Sequence, residues 1–311
     1  MLSLALLGLA GQARANCDPA ADQVRWQRVE AAGTVARLSE YLAACPQGRH
    51  VTEVRSRLRA LERVPLPELV AVRGGCFEMG SAAGEPGRDA DEHRHRVCVG
   101  DFRIGRFEVT FDEYDRFVAA TGRDAPHDEG WGRGRQPVIN VSWEEAVAYA
   151  EWLSDVSGRR FRLPTEAEWE YACTGGGKPL RFCGADQANP LGCYADNCRG
   201  RAHPVGGRPP NDLGIHDMSG NVGEWTCSAY DAAYAGGEQR CAKPSDARLR
   251  VGRGGSWLDS PDYLRTASRD GGYTAFRAVT LGFRLVEELP SVPPPRVIEA
   301  GKELPPERPP G

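Results

Sequence analysis

The sequence predicts an α+β domain poor in regular secondary structure, preceded by a small helical hairpin, and three observations carry that reading. Residues 16–63 place apolar side chains at helical spacing between charged ones. From residue 70 to residue 286 the texture changes to frequent glycine and short strands, with only three convincing helices, each opened by a capping box. Ten cysteines are spread along the chain, an even number that pairing can use up as covalent support for loop-rich structure.

In chain order, MLSLALLGLAGQARA (1–15) has an apolar stretch from Leu2 to Ala10, too short to span a bilayer, and ends in the small-x-small pattern Ala13-Arg14-Ala15. It is expected to be a secretory signal cleaved after Ala15, although no positive charge precedes the apolar run, and the mature protein to be soluble and periplasmic or secreted, without a membrane span. In the hairpin, Val35, Leu38, Tyr41 and Leu42 form one stripe and Val51, Val54, Leu58 and Leu61 another, separated by Pro46 and Gly48; there is room for an extra first helix around Trp26. Its arginines read as a solvated face. VPLPEL (64–69) is a linker by its two prolines.

The capping boxes are Thr110 with Glu113, Ser142 with Glu145, and Thr165 with Glu168. The first helix puts Tyr114, Phe117 and Val118 on one face and stops at Gly122; the second groups Ala146, Tyr149, Ala150 and Leu153 and stops at Gly158. The third follows Pro164 and carries Trp169 and Tyr171, read like the other helical aromatics as core. Residues 287–311 are expected to be a disordered, proline-rich tail.

Export places the thiols in an oxidising compartment, where they pair. Neighbour pairing gives Cys17 with Cys45, Cys76 with Cys98, Cys173 with Cys183, Cys193 with Cys198, and Cys227 with Cys241, the two central pairs being exchangeable. No Cys-x-x-Cys spacing suggests a thiolate metal centre. His93 and His95 would share a strand face without further ligand spacing, and His127, His203 and His216 are scattered. A net charge of -4 with no basic run excludes nucleic acid as a natural partner. No Ser-His-Asp order, phosphate loop or paired-carboxylate pattern stands out.

Seven stretches carry more information: GGCFEMGS at Gly74, FRIGRFEVTFDEYDRF at Phe102, PVINVSWEEAVAYAEWLS at Pro137, RFRLPTEAEWEYA at Arg160, NDLGIHDMSGNVGEW at Asn211, RVGRGGSW at Arg250 and LGFRLV at Leu281. In this order and spacing the chain resembles the formylglycine-generating enzyme family, the sulfatase-modifying factor domain, over residues 70–286. The resemblance implies a C-type-lectin-like fold. It also implies calcium, with side-chain oxygens from Asp217 and Glu224 and carbonyls from Gly220 and Val222, and a second ion at Asn189, Pro190, Asn197 and the carbonyl of Arg199. A different reading of Glu224 is a buried carboxylate paired with an arginine.

Active members of that family bind copper(I) through two cysteines placed after the GGS turn. The matching positions here are Asp259 and Leu264. Copper(I) needs soft thiolates, so copper is not expected. The chain is therefore read as a calcium-stabilised binding or scaffold domain of the cell envelope, offering Trp257, Asp259 and Tyr263 to an unknown envelope protein or ligand. The alternative is an oxidative enzyme using the same cleft, a formylglycine-generating-type oxidase or another cysteine-independent oxidoreductase, with Ser256, Asp259 and Asp262 as acid/base candidates.

Overall fold

The computed structural model describes residues 17–32, 35–61, 64–188, 191–243, 245 and 249–289. The expected signal segment and residues 290–311 of the expected tail lie outside them.

The N-terminal unit has three helices, α1 (Pro19–Ala32), α2 (Val35–Ala44) and α3 (Val51–Leu61), where the apolar spacing marked a hairpin with room for a first helix around Trp26. In α1 the apolar side chains are sparse among arginine, glutamine and glutamate, so periodicity alone marked it only around Trp26. Trp26 and Val29 nevertheless bury against Leu38, Tyr41, Cys45 and Val54. Trp26 stacks on His50 at 4.3 Å, and the Cys17–Cys45 disulfide ties the start of α1 to the end of α2. The Tyr41 hydroxyl donates to Asp22, whose other oxygen accepts from Arg49 N at 2.8 Å. Tyr41's hydrogen bond holds the Asp22 carboxyl below its ordinary value, and burial, then Asp22, pushes the Tyr41 phenol up to about 12.

Beyond this unit the strands are short. In order come β1 (Leu69–Val72), β2 (Gly75–Met79), β3 (His95–Val99), β4 (Phe102–Gly105), α4 (Phe111–Thr121), α5 (Trp143–Ser157), β5 (Phe161–Arg162), α6 (Glu166–Cys173), β6 (Gly223–Ala229), β7 (Leu249–Arg253), β8 (Arg269–Tyr273), β9 (Leu281–Phe283) and β10 (Val286–Glu287). One antiparallel sheet runs β1-β4-β10-β5, β2 and β3 form a separate pair, and the sheet β8-β7-β6-β9 is antiparallel except for parallel β6 and β9. Two expected boundaries shift by sheet pairing. Leu69, read as linker, pairs with Gly105, and Glu287, read as tail, pairs with Arg103 and Phe161.

All three capping boxes close in both directions, and Gly122 and Gly158 end α4 and α5 in the left-handed region. Tyr114 and Phe117 of α4 pack with Tyr149 of α5 and Phe283 of β9 to form the main core. The entire length of α6 is buried, its Trp169 belonging to a second apolar cluster with Phe77, Val97, Ile104 and Val286. The ten cysteines form five disulfides joining the neighbours named above. Among the described residues no helix is long and apolar enough to cross a membrane.

Between α6 and β6 the chain is mostly irregular and relies on backbone contacts between loops. Cys193 bridges Gly220, and Asn221 N donates to Cys193 O at 2.9 Å. Gly220 has φ +88°, and a side chain there would run into the Cys193 carbonyl. Gly220→Ala is therefore expected to lower stability by at least about 1–3 kcal/mol from backbone strain alone, read by urea denaturation. Tyr41→Phe, which leaves Asp22 without its hydroxyl donor, is expected to cost about 1–3 kcal/mol. The Asp22–Tyr41 contribution should be full between the ordinary aspartate and tyrosine values. It should fade as pH falls through Asp22's lowered value or rises through about 12, a profile that pH-dependent denaturation of wild type and Tyr41→Phe would resolve.

Candidate functional site

A cleft of about 230 Å³ opens over β7 and β8. Its floor is glycine: Gly252, Gly254 and Gly255 from β7 and the following turn, Gly271 and Gly272 from β8. Gly254 and Gly255 take φ +95° and +63°, and a side chain on Gly272 would collide with the Trp225 ring. The floor is thus open because the backbone bends where only glycine bends readily and because Trp225 fills the space beneath.

Ser256, Asp259 and Tyr263 line this cleft together with Asp270 and Phe276. Ser256 Oγ donates to Asp259 Oδ2 at 2.6 Å, and the Asp259 carbonyl accepts from Ala195 N at 3.0 Å, which fixes the loop after the GGS turn. Tyr263 and Phe276 expose 50% and 52% of their surface, so the rim is aromatic and wet. Burial, then the charges of Asp259, Asp89 and Asp91, pushes the Asp270 carboxyl above its ordinary value.

The cleft's two arginines do not offset these acids. The Arg253 guanidinium bonds Glu170 and the carbonyls of Thr266, Ala267 and Ser268, while that of Arg269 forms a two-pronged pair with Glu166 at 2.8 and 2.7 Å. Both side chains are buried.

Three of the expected residues fall elsewhere. Trp257 is only 8% exposed: its ring meets Trp131 edge-on at 5.4 Å and its Nε1 donates to the Val279 carbonyl, so it supports the core instead of offering a surface. Leu264 is buried against Phe182 and Ala188, as its apolar side chain dictates. Asp262 points away to Arg181, 3.2 Å distant. Asp270 and Phe276 were missed. The acid beside two glycines in RDGGY was the available signal for the first, and nothing local marked the second.

Beneath the neighbouring stretch DMSGNVGEW lies a second polar cluster. Both Glu224 oxygens accept from Arg284, each at 2.6 Å, and one also accepts from Trp169 Nε1 at 2.7 Å. Glu224 is thus the buried carboxylate paired with an arginine. Arg284 further donates to the carbonyls of Gly105 and His216. Asp217, buried at φ +60°, accepts from Gly206 N at 2.6 Å. Glu108 brings a third buried carboxylate: Oε1 accepts from Asn221 Nδ2 at 2.9 Å, and Oε2 has no partner. Burial first, then Asp217, pushes the Glu108 carboxyl well above its ordinary value; burial likewise raises that of Asp217.

Asp217 and Glu108 keep the most carboxylate capacity for a hard cation, while Glu224 has one acceptor position left on Oε1. Gly220 and Val222 lie between Asp217 and Glu224 in the same turn, both buried. At the second expected ion position, Asn197 uses its side chain locally: Oδ1 accepts from Tyr194 N and Nδ2 donates to Gly192 O. Arg199 has φ +55°, and Asn189 and Pro190 lie outside the described residues. His95 turns toward Glu238, at 3.6 Å, and its Nδ1 meets the His93 carbonyl, so the two histidines do not converge as ligands.

Known proteins are similar to this chain in sequence and in fold. Residues 55–289 match the sulfatase-modifying factor enzyme 1-like domain. The formylglycine-generating enzyme of Mus musculus is 29% identical over 70% of this chain and 74% of its own length. The inactive C-alpha-formylglycine-generating enzyme 2 of Bos taurus is 30% identical over 70% of this chain and 86% of its own. The solved structure of PvdO from Pseudomonas aeruginosa superposes with a TM-score of 0.65 at 31% identity, covering 72% of this chain and 95% of that one. With the fold, the glycine floor and the ordered stretches all in place, the chain belongs to the formylglycine-generating enzyme, or sulfatase-modifying factor, family.

Proposed function

We propose that this protein is a binding or scaffold domain of the cell envelope, exported to the periplasm or beyond, that holds a positively charged ligand in the cleft over β7 and β8. The observation that carries the reading is the cleft's charge. Asp259 and Asp270 face it while Arg253 and Arg269 are spent on Glu170 and Glu166. An aromatic rim beside fixed carboxylates suits an organic cation, which gains from both ring faces and charge. Five disulfides support export.

Copper chemistry of the familiar kind is absent in this reading. Asp259 and Leu264 occupy the positions of the family's cysteine pair, all ten cysteines are in disulfides, and carboxylate and alkyl groups do not replace soft thiolates. The bovine relative carrying "inactive" in its name supports a non-catalytic branch. Calcium would be bound as a structural ion at the turn from Asp217 to Glu224, where it would supply charge neutralisation and no chemistry of its own.

A second reading, acid–base chemistry in the same cleft, is favoured by the raised Asp270 carboxyl beside the Ser256–Asp259 pair. Of the three residues expected for that role, Asp262 is removed by its position outside the cleft.

Two experiments test this. Incubated with copper(I), oxygen and a Cys-x-Pro-x-Arg peptide, the protein should yield no aldehyde by mass spectrometry, and a stoichiometric product would overturn the binding assignment. Titrated calorimetrically with 1,5-diaminopentane and with the neutral 1,5-pentanediol, it should bind the diamine selectively. Asp259→Asn combined with Asp270→Asn should weaken that binding about tenfold or more, roughly 1.4 kcal/mol; equal affinity for diamine and diol would refute the charge argument.

A further inference from the structure

We infer that Cys193, Cys198 and His203 form a zinc site when the Cys193–Cys198 disulfide is reduced, so that this loop holds either a covalent bond or a metal ion.

Proximity carries the first part of the argument. One ring nitrogen of His203 and the two sulfurs all lie within 4.8 Å of one another. Zinc bonds thiolate at about 2.3 Å and imidazole at about 2.0 Å, so its tetrahedral donors sit about 3.5–4 Å apart, and small shifts bring these three groups onto one ion. Two thiolates and an imidazole leave a fourth position for water. The other such cluster among the described residues is Cys17, Asp22 and Cys45, and there both Asp22 oxygens already accept, from Tyr41 and from Arg49 N.

Orientation of the imidazole gives a second, independent sign. His203 Nε2 meets the Cys198 carbonyl at 2.7 Å. A carbonyl only accepts, so Nε2 carries the proton and the neutral ring has its free lone pair on Nδ1. A backbone carbonyl that holds one ring N–H is the usual support of a metal-bound histidine, because it fixes both the tautomer and the ring plane. The backbone of His203 is fixed too, its N–H donating to Asn221 Oδ1 at 2.9 Å.

Hydrogen bonds keep the two cysteines in place without their covalent link. Cys193 N donates to the Ser219 carbonyl at 3.1 Å, the Cys193 carbonyl accepts from Asn221 N at 2.9 Å, and Cys198 N donates to the Tyr194 carbonyl at 2.9 Å. The two residues are 5 apart in sequence, where the other four disulfides span 10 to 28, and the shortest loop gains least from cross-linking. This is the disulfide whose opening disturbs the fold least. A dithiol reductant gives two electrons and two protons to the sulfurs and is itself oxidised to a disulfide; zinc then displaces the two thiol protons. Ala195, between the cysteines, donates its N–H to the Asp259 carbonyl at 3.0 Å, so this site shares its loop with an acid of the cleft.

Limited reduction of the full-length protein tests this. Treated with a small excess of dithiothreitol under nitrogen and desalted, one portion is alkylated and mapped by mass spectrometry, and another is titrated with zinc chloride or with cobalt(II) chloride as its coloured substitute. Cys193 and Cys198 should be alkylated while the other eight cysteines stay paired. The reduced protein should take up one zinc per chain and melt higher with it, and cobalt should give thiolate charge-transfer absorption; the untreated protein should show neither. His203→Ala should weaken zinc binding at least tenfold.

If Cys193 and Cys198 stay paired until the protein unfolds, or if the reduced protein shows no charge-transfer absorption, the inference is overturned; both results come from wild type and so do not depend on a variant folding. Equal zinc affinity in wild type and His203→Ala would remove the histidine and with it the three-ligand site. Displacement of the cobalt by calcium chloride would assign the ion to oxygen donors and overturn the thiolate site.

Discussion

The buried pair between Arg284 and Glu224 is the contact on which the domain is built. Glu224 lies on β6 and Arg284 just past β9, the strand parallel to it, and the same guanidinium holds the carbonyl at the end of β4 and that of His216. One side chain thereby joins both four-stranded sheets to the segment that leads into the turn from Asp217 to Glu224. Such a pair adds little net stability over an apolar equivalent, since desolvation offsets the attraction, but neither ion can be left alone once buried. The fold must bring these segments together in one geometry or expose a charge. In a domain with short strands this constraint does what long ladders do elsewhere.

The same device recurs around the cleft. Arg253 with Glu170, Arg269 with Glu166 and Arg265 with Glu92 are further buried pairs, each joining segments far apart in sequence. Two of them anchor the strands of the glycine floor, Arg253 at the end of β7 and Arg269 at the start of β8. The two that border the cleft also decide its charge, since a guanidinium saturated inside the protein presents nothing to a ligand. The acidic character of the cleft follows from where the arginines are spent more than from how many acids it contains.

Legibility from sequence followed the range of the interaction. Capping boxes are written within four residues, so α4, α5 and α6 and their starts could be read directly. The first helix was harder, because its buried face is little more than Trp26 and Val29 among polar residues and is completed only by packing on α2 and α3. Within the GGS stretch, Ser256, Asp259 and Tyr263 reach the cleft. Trp257, equally attractive in the linear sequence, is drawn into the core by Trp131 and the Val279 carbonyl.

By itself the sequence determined the family, through ordered stretches whose glycines and caps act locally, and it determined that the two positions after the GGS turn hold Asp259 and Leu264 in place of thiols. Only the tertiary structure decided which carboxylates remain uncommitted. Glu224, open in the sequence to a role as cation ligand or as an arginine's partner, bonds Arg284, and Glu108 carried no mark in FEVT until the fold placed it against Asn221. A charge's role depends on its nearest opposite charge, and for these residues that neighbour lies far along the chain.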